Sequence, residues 1–227
     1  MIRAILFDSD GVLVDTEKMY YEATRMAFAA AGVTLTPDIW ANGYLGRGKT
    51  SRKIAERMGI APGLIDKVLE RRDGVFRADI ALGVQVMPQV RETLAVLAAN
   101  FRLAIVTSSP RERFELIHES TGLLSFFETI ITREKESDAK PDPQLYLNAL
   151  QKLNLTAGEC IAVEDSPRGA AAAVTAGIKC CIIPTFLTDL TLCPKGCDIL
   201  HSITQLQGVC FSQEMKIERH EKQPVSP

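Results

Sequence analysis

Four short apolar runs constrain this chain more than any other feature. Ile2 to Phe7, Leu103-Ala-Ile-Val106, Ile161-Ala-Val163 and Cys180-Cys-Ile-Ile183 are each too short for a helix and are bounded by turn, hydroxyl or acidic residues. Such runs fit strands buried on both faces. Between them the apolar period becomes helical, at Val90, Leu94 and Leu97 and again at Leu145, Ala149, Leu150 and Leu153. Strand alternating with helix predicts an α/β fold, a parallel sheet with helices on both faces.

A second pattern concerns the strand exits. Ser109-Pro110, Asp142-Pro143 and Ser166-Pro167 each pair a capping residue with a proline. The cap satisfies an orphan N–H and proline suits the first helical position, so each pair predicts a helix start. These starts fall near the carboxyl edge of the sheet, where open α/β folds bind ligands and where helix N-termini favour anions.

The stretch from Asp15 to about Leu82 reads differently. Met19, Ala23, Met26, Ala27 and Ala30 predict a helix face. A charged helical stretch comes next over Ile54 to Arg77, with breaks at Gly59 and Pro62-Gly63, and no buried-strand run appears. We therefore expect a core of residues 1–14 and 83–211, an inserted helical cap over 15–82, and a disordered polar tail over 212–227.

Composition narrows the partners. Lys and Arg total 26 and Asp and Glu 28, a net charge of −2, which leaves no basic excess for a nucleic-acid binder. No apolar stretch approaches the ~18 residues of a membrane span, and Asp8 and Asp10 interrupt the first run too early for a secretory leader. A cytoplasmic location without nucleic acid or membrane is expected, as a monomer or weak homodimer. The six cysteines lie in the last third. Cys193 and Cys197 make one pair with no nearby His pair, so buried or incidental thiols are expected rather than a metal site.

The chemistry gathers at strand ends. Asp8-Ser-Asp10-Gly11 puts two carboxylates at the exit of a buried strand, where like charges raise a pKa unless a cation relieves them; magnesium suits oxygen ligands of this kind. The plainer reading is a turn whose aspartates cap the next segment. Glu164-Asp165 is a second acidic pair, or a helix cap. Thr107-Ser108-Ser109 offers hydroxyls and amides to an oxyanion, or a simple N-cap. Lys140 brings a cation to a helix start, or is a solvated lysine. Four such groups falling at one sheet edge favour the chemical reading.

Phe7-Asp-Ser-Asp-Gly-Val-Leu-Val-Asp-Thr16, Val106-Thr-Ser-Ser109, Lys140-Pro-Asp-Pro143 and Val163-Glu-Asp-Ser-Pro-Arg-Gly169 resemble, in order, the four motifs of the haloacid dehalogenase superfamily. The resemblance covers roughly residues 1–205, and Ala172 to Gly177 extends its last motif. It implies a Rossmann-like doubly wound core with a helical cap inserted after the first motif. The subgroup resembled holds β-phosphoglucomutase and small sugar-phosphate and phosphoglycolate phosphatases.

The resemblance also implies roles. Asp8 would be the nucleophile that forms an aspartyl-phosphate, and Asp10 the general acid and then base. Asp8, the Asp10 backbone carbonyl, Asp165 and Glu164 would hold Mg²⁺. Thr107, Ser108 and Lys140 would bind the phosphoryl group. Gly46, Arg47 and Lys49 of the cap, with Ser109, would contact the substrate, Arg47 or Lys49 reaching a second anionic group. Phosphate-monoester hydrolysis requires up to ~10²¹-fold acceleration, roughly 28 kcal/mol, which only metal, lysine, amides and carboxylate together supply.

A carboxylic acid at position 10 serves ester chemistry, because carbon–halogen cleavage has no alkoxide to protonate. Tyr20 and Pro110 depart from the His and Lys of β-phosphoglucomutases. Hydrolysis of a small phosphorylated metabolite is therefore expected ahead of a phosphomutase, and ahead of a silent binding module, whose carboxylates would have degenerated.

Overall fold

The computed structural model describes residues 1–211; the expected disordered tail lies outside them. The chain runs β1 (Ala4–Phe7), α1 (Thr16–Ala30), α2 (Pro37–Trp40), a π-helical turn (Ala41–Gly46), α3 (Ser51–Arg57), α4 (Pro62–Ala81) and α5 (Val90–Ala98). It continues through β2 (Arg102–Pro110), α6 (Arg111–His118), β3 (Thr129–Arg133), α7 (Gln144–Leu153), β4 (Cys160–Glu164), α8 (Pro167–Thr175), β5 (Lys179–Ile182) and β6 (Asp198–Ile199).

All six strands are parallel, in the order β3-β2-β1-β4-β5-β6. This is a Rossmann-like doubly wound sheet. The chain leaves β1 toward β2 and β3 and returns to its other side at β4, so a crevice opens beyond the ends of β1 and β4. The strand period of two divides the core. Ile5, Phe7, Leu103, Ile105, Ile161 and Val163 face α5 and α6. Ala4, Leu6, Ala104, Val106 and Ala162 face α7 and α8.

The four apolar runs are β1, β2, β4 and β5. The edge strands β3 and β6 carry no such mark in the sequence. β3 reads Thr-Ile-Ile-Thr-Arg and β6 spans two residues, so neither offers a long apolar run. In α1 the expected stripe is rotated. Tyr20, Tyr21, Ala23, Thr24, Ala27 and Phe28 are buried, whereas Met26 and Ala30 are exposed. Burying three aromatic rings removes more apolar surface than burying Met26 and Ala30.

Of the three expected helix starts, Ser166-Pro167 is as predicted: Ser166 accepts from the Gly169 amide at 3.2 Å with Pro167 at the first position. At Asp142-Pro143 the helix begins one residue later, and Asp142 accepts from the Gln144 amide. At Ser109-Pro110 the helix again begins one residue later, at Arg111, but Ser109 does not cap it. β2 runs on through Pro110, and Ser109 turns its hydroxyl to Asp10.

Between β1 and α5 every regular element is helical. Entry and exit of this segment are stitched together: Asp15 N donates to Gln85 O, Met87 N donates to Leu13 O, and Val14 bridges Val86.

Candidate active site

β1 ends where the Asp8 amide donates to Val163 O at 2.9 Å. The chain then coils into a turn around Ser9, whose carbonyl accepts the Leu13 and Val14 amides. Gly11 has φ +81°, and a Cβ there would lie 2.2 Å from Asp165 Oδ2. Conformation and space both require glycine.

Four charged groups converge below this turn, all buried: Asp8, Lys140, Glu164 and Asp165. Lys140 Nζ is 2.7 Å from Val106 O, 2.6 Å from Glu164 Oε1 and 3.1 Å from Asp8 Oδ1. Tyr146 donates to the same Glu164 oxygen at 2.6 Å. Burial, then repulsion from Glu164, pushes the Asp8 carboxyl well above its usual range, against the pull of Lys140. Burial, then Asp8, does the same to Asp165. Burial disfavours the charged form of Lys140, yet Asp8 and Glu164 leave its pKa raised.

One lysine does not neutralise three carboxylates. Asp8, Glu164 and Asp165 each offer an oxygen within 4.8 Å of the others, and they form the one such ligand group among the described residues. Glu164 Oε2 and Asp165 Oδ2 are buried without a hydrogen-bond partner. Orphaned anionic oxygens in a closed space are costly. An oxygen-seeking divalent cation fits this donor set. Gly169 belongs to the same cradle, since a Cβ there would lie 1.9 Å from Glu164 Oε2.

Asp10 stands apart from this trio. Its carboxylate accepts hydrogen bonds from Thr16, from Thr107 at 3.3 Å and from Ser109 at 3.1 Å. Thr107 Oγ1 also accepts the Ser109 amide. Ser108 Oγ accepts the Lys140 amide at 3.1 Å, which fixes the loop that delivers the lysine.

A cavity of about 450 Å³ lies between these groups and the inserted helices. Lys49, Thr107, Ser108 and Ser109 line it. Gly46 and Arg47 do not. A Cβ at Gly46 would lie 2.5 Å from Leu192 Cδ1, so this glycine permits close packing. Arg47 is exposed and borders a separate hollow with Asn42 and Arg57.

Cationic side chains in the cavity wall that were not singled out from the sequence include Arg72, Arg113 and Arg168. Arg72, from α4, is buried, pairs through Nε with Asp73 at 2.9 Å, and has a buried Nη1 without a partner. Arg72 and Arg113 lie 4.8 and 5.2 Å from the Tyr20 ring centre. Arg168 stacks on Tyr44 at 4.2 Å, and Tyr44 on Trp40 at 4.2 Å. Trp40 Nε1 donates to buried Glu17 at 3.0 Å. Burial raises the Glu17 pKa, partly offset by Arg168. In the sequence Arg72 is one cation in a charged stretch, and only the helix phase turns it inward.

Buried carboxylates, a sealed lysine and hydroxyls at the carboxyl edge of this sheet define a phosphoryl-handling α/β hydrolase. Residues 5–183 match the model of the haloacid dehalogenase-like hydrolase family, and the chain belongs to that family. It is 30% identical over 190 residues to the phosphorylated carbohydrates phosphatase of Thermotoga maritima, covering 78% of this chain and 83% of the relative. It is 32% identical over 185 residues to a plasmid-borne phosphoglycolate phosphatase of Cupriavidus necator, covering 79% and 80%. Among solved structures it resembles a CbbY variant of Rhodobacter sphaeroides in complex with xylulose-1,5-bisphosphate, with TM-score 0.71, 26% identity and coverage of 91% and 96%. The chain is a phosphoric monoester hydrolase. Among the described residues no helix is long and apolar enough to cross a membrane.

Proposed function

We propose that the protein is a Mg²⁺-dependent phosphatase acting through an aspartyl-phosphate on a small phosphorylated metabolite that carries a second anionic group. The observation that carries the reading is the buried trio Asp8, Glu164 and Asp165, two of whose oxygens have no partner beside a sealed lysine. Asp8, Asp165, Glu164 and the Asp10 backbone carbonyl would hold the metal. When bound, it neutralises charge on the carboxylates and on the transferring phosphoryl group.

Ser9 N and Lys140 hold Asp8 Oδ1, which assigns in-line attack on phosphorus to Oδ2. As the ester P–O bond breaks, the Asp10 carboxyl gives its proton to the departing oxygen. Asp10 then takes a proton from the water that attacks the aspartyl-phosphate, releasing inorganic phosphate and restoring Asp8. Thr107, the Ser108 amide and Lys140 orient the phosphoryl oxygens. The inserted helices act as a cap that closes through the stitched segments 12–16 and 82–88.

The second anion is assigned to Arg72 and Arg113, which line the cavity; the two guanidiniums share one carboxylate, Asp73, so one positive charge is left over for a ligand. The bisphosphate bound by the related CbbY structure supports a second anion on the substrate. Tyr20 packs beneath both arginines and supplies no imidazole, so we place hydrolysis ahead of phosphomutase chemistry.

The test is phosphate release from p-nitrophenyl phosphate and a panel of sugar phosphates, phosphoglycolate and bisphosphates, with Mg²⁺ and with EDTA. Metal-dependent release is expected, and Asp8→Asn should abolish it with the fold intact. No release from any ester would leave a binding module. Interconversion of β-glucose 1-phosphate and glucose 6-phosphate faster than hydrolysis would make it a mutase.

A further inference from the structure

A buried hydroxyl–imidazole pair lies beneath the nucleophile turn, and the phosphatase reaction makes no use of it. Ser9 Oγ and His118 Nε2 are 2.9 Å apart, and both residues are sealed from solvent. His118 Nδ1 lies 3.0 Å from Thr121 Oγ1. The Thr121 hydroxyl points its proton at the His118 carbonyl, and its oxygen accepts the Leu123 amide. Toward the ring, Thr121 Oγ1 is therefore an acceptor. Nδ1 carries the imidazole proton, Nε2 presents a lone pair, and the Ser9 hydroxyl donates to it.

Every polar atom of Ser9 is engaged. Its amide donates to Asp8 Oδ1 at 2.7 Å, its carbonyl accepts from the turn, and its hydroxyl meets His118. An apolar pair at positions 9 and 118 would fill the space without burying polar atoms. A buried polar pair is satisfied in one orientation only, so it fixes direction as well as volume. His118 closes α6, the helix that begins directly after β2 and its Thr107–Ser109 segment. The pair thus ties the phosphoryl-facing end of β2 to the turn that carries Asp8 and Asp10.

We propose that His118 is a positioning residue that acts through Ser9 to hold the Asp8 carboxylate for in-line attack. This rests on the phosphatase reading for its kinetic consequence, but its structural consequence is separately measurable. The variants are His118→Leu, His118→Gln, Ser9→Ala and the Ser9→Ala/His118→Leu pair, in the whole chain. With Mg²⁺ and p-nitrophenyl phosphate, H118L should lower kcat by roughly tenfold to a hundredfold with little change in KM. H118Q keeps an acceptor for the Ser9 hydroxyl and should restore most of kcat. The double variant should be no worse than the poorer single, because both changes break one bond.

Nitrogen-15 spectra supply the second readout. Wild-type His118 should show a protonated Nδ1 and a bare Nε2, and the Ser9 amide proton should move upfield in H118L and return in H118Q. Equal kcat losses in H118L and H118Q would overturn the proposal, as would an Nε2-protonated ring or a Ser9 resonance indifferent to residue 118. If wild type releases phosphate from no ester while the Ser9 signal tracks residue 118 in this way, the phosphatase reading fails and the positioning of Asp8 stands.

Discussion

Lys140 and Glu164 form an ion pair at 2.6 Å in which neither side chain reaches solvent. Glu164 sits under the start of α8 and Lys140 arrives from the loop before α7, so the pair joins two βα units beneath Asp8. Removing one partner of a buried pair leaves an uncompensated charge, at a cost of about 3–5 kcal/mol. Lys140→Met should lose stability of that order in urea denaturation and lose turnover with it. Mg²⁺ should recover part of the stability, because a second cation relieves the same carboxylates.

Arg72 should separate substrates by charge. Arg72→Gln keeps a polar side chain but removes the guanidinium. Steady-state kinetics should show kcat/KM for a bis-anionic substrate falling about a hundredfold, of the order of a lost charge-assisted pair. The loss on p-nitrophenyl phosphate should be far smaller. Equal losses on both would place Arg72 outside the specificity contact.

Two glycines make a controlled comparison. Gly169→Ala drives a methyl into the buried Glu164 carboxyl, which Lys140 and Tyr146 hold in place. We expect about 1–3 kcal/mol of destabilisation from overpacking, with weaker Mg²⁺ binding in calorimetry. Gly74→Ala, on the exposed face of α4 with nothing within 4 Å, should stabilise by up to about 1 kcal/mol and leave metal binding alone.

His118 should make stability depend on pH in a defined window. Burial lowers its pKa from 6.5 to about 4. Between those values the unfolded chain binds a proton that the native ring refuses, so this contribution is present above pH 6.5 and lost as pH falls toward 4. Its full size is about 3 kcal/mol. Equilibrium unfolding from pH 7 to pH 4 should therefore be less steep in H118Q than in wild type by about that amount.

The motifs at Asp8–Gly11, Thr107–Ser109 and Glu164–Asp165 were legible as chemistry because strands buried on both faces must end abruptly, and the residues just beyond them must be polar; Lys140 was legible as a cation set before a helix start. The central strands were legible for the same reason. The edge strands were not, since half-solvated strands carry no continuous apolar run. Spacing along the chain did not reveal that Gly46 packs against Leu192 or that Arg47 borders a different hollow, since both are tertiary contacts.

The sequence by itself determined the α/β alternation, the inserted helices and the residues that end the central strands, all of which arise from short-range periodicity and turn chemistry. Only the tertiary structure decided that Lys140 lies against Asp8 and Glu164, that Arg72 and Arg113 flank Tyr20, and that His118 meets Ser9 across 109 residues of chain. Those contacts depend on helix phase and on the crossover between strands, and neither is encoded in the spacing of neighbouring residues.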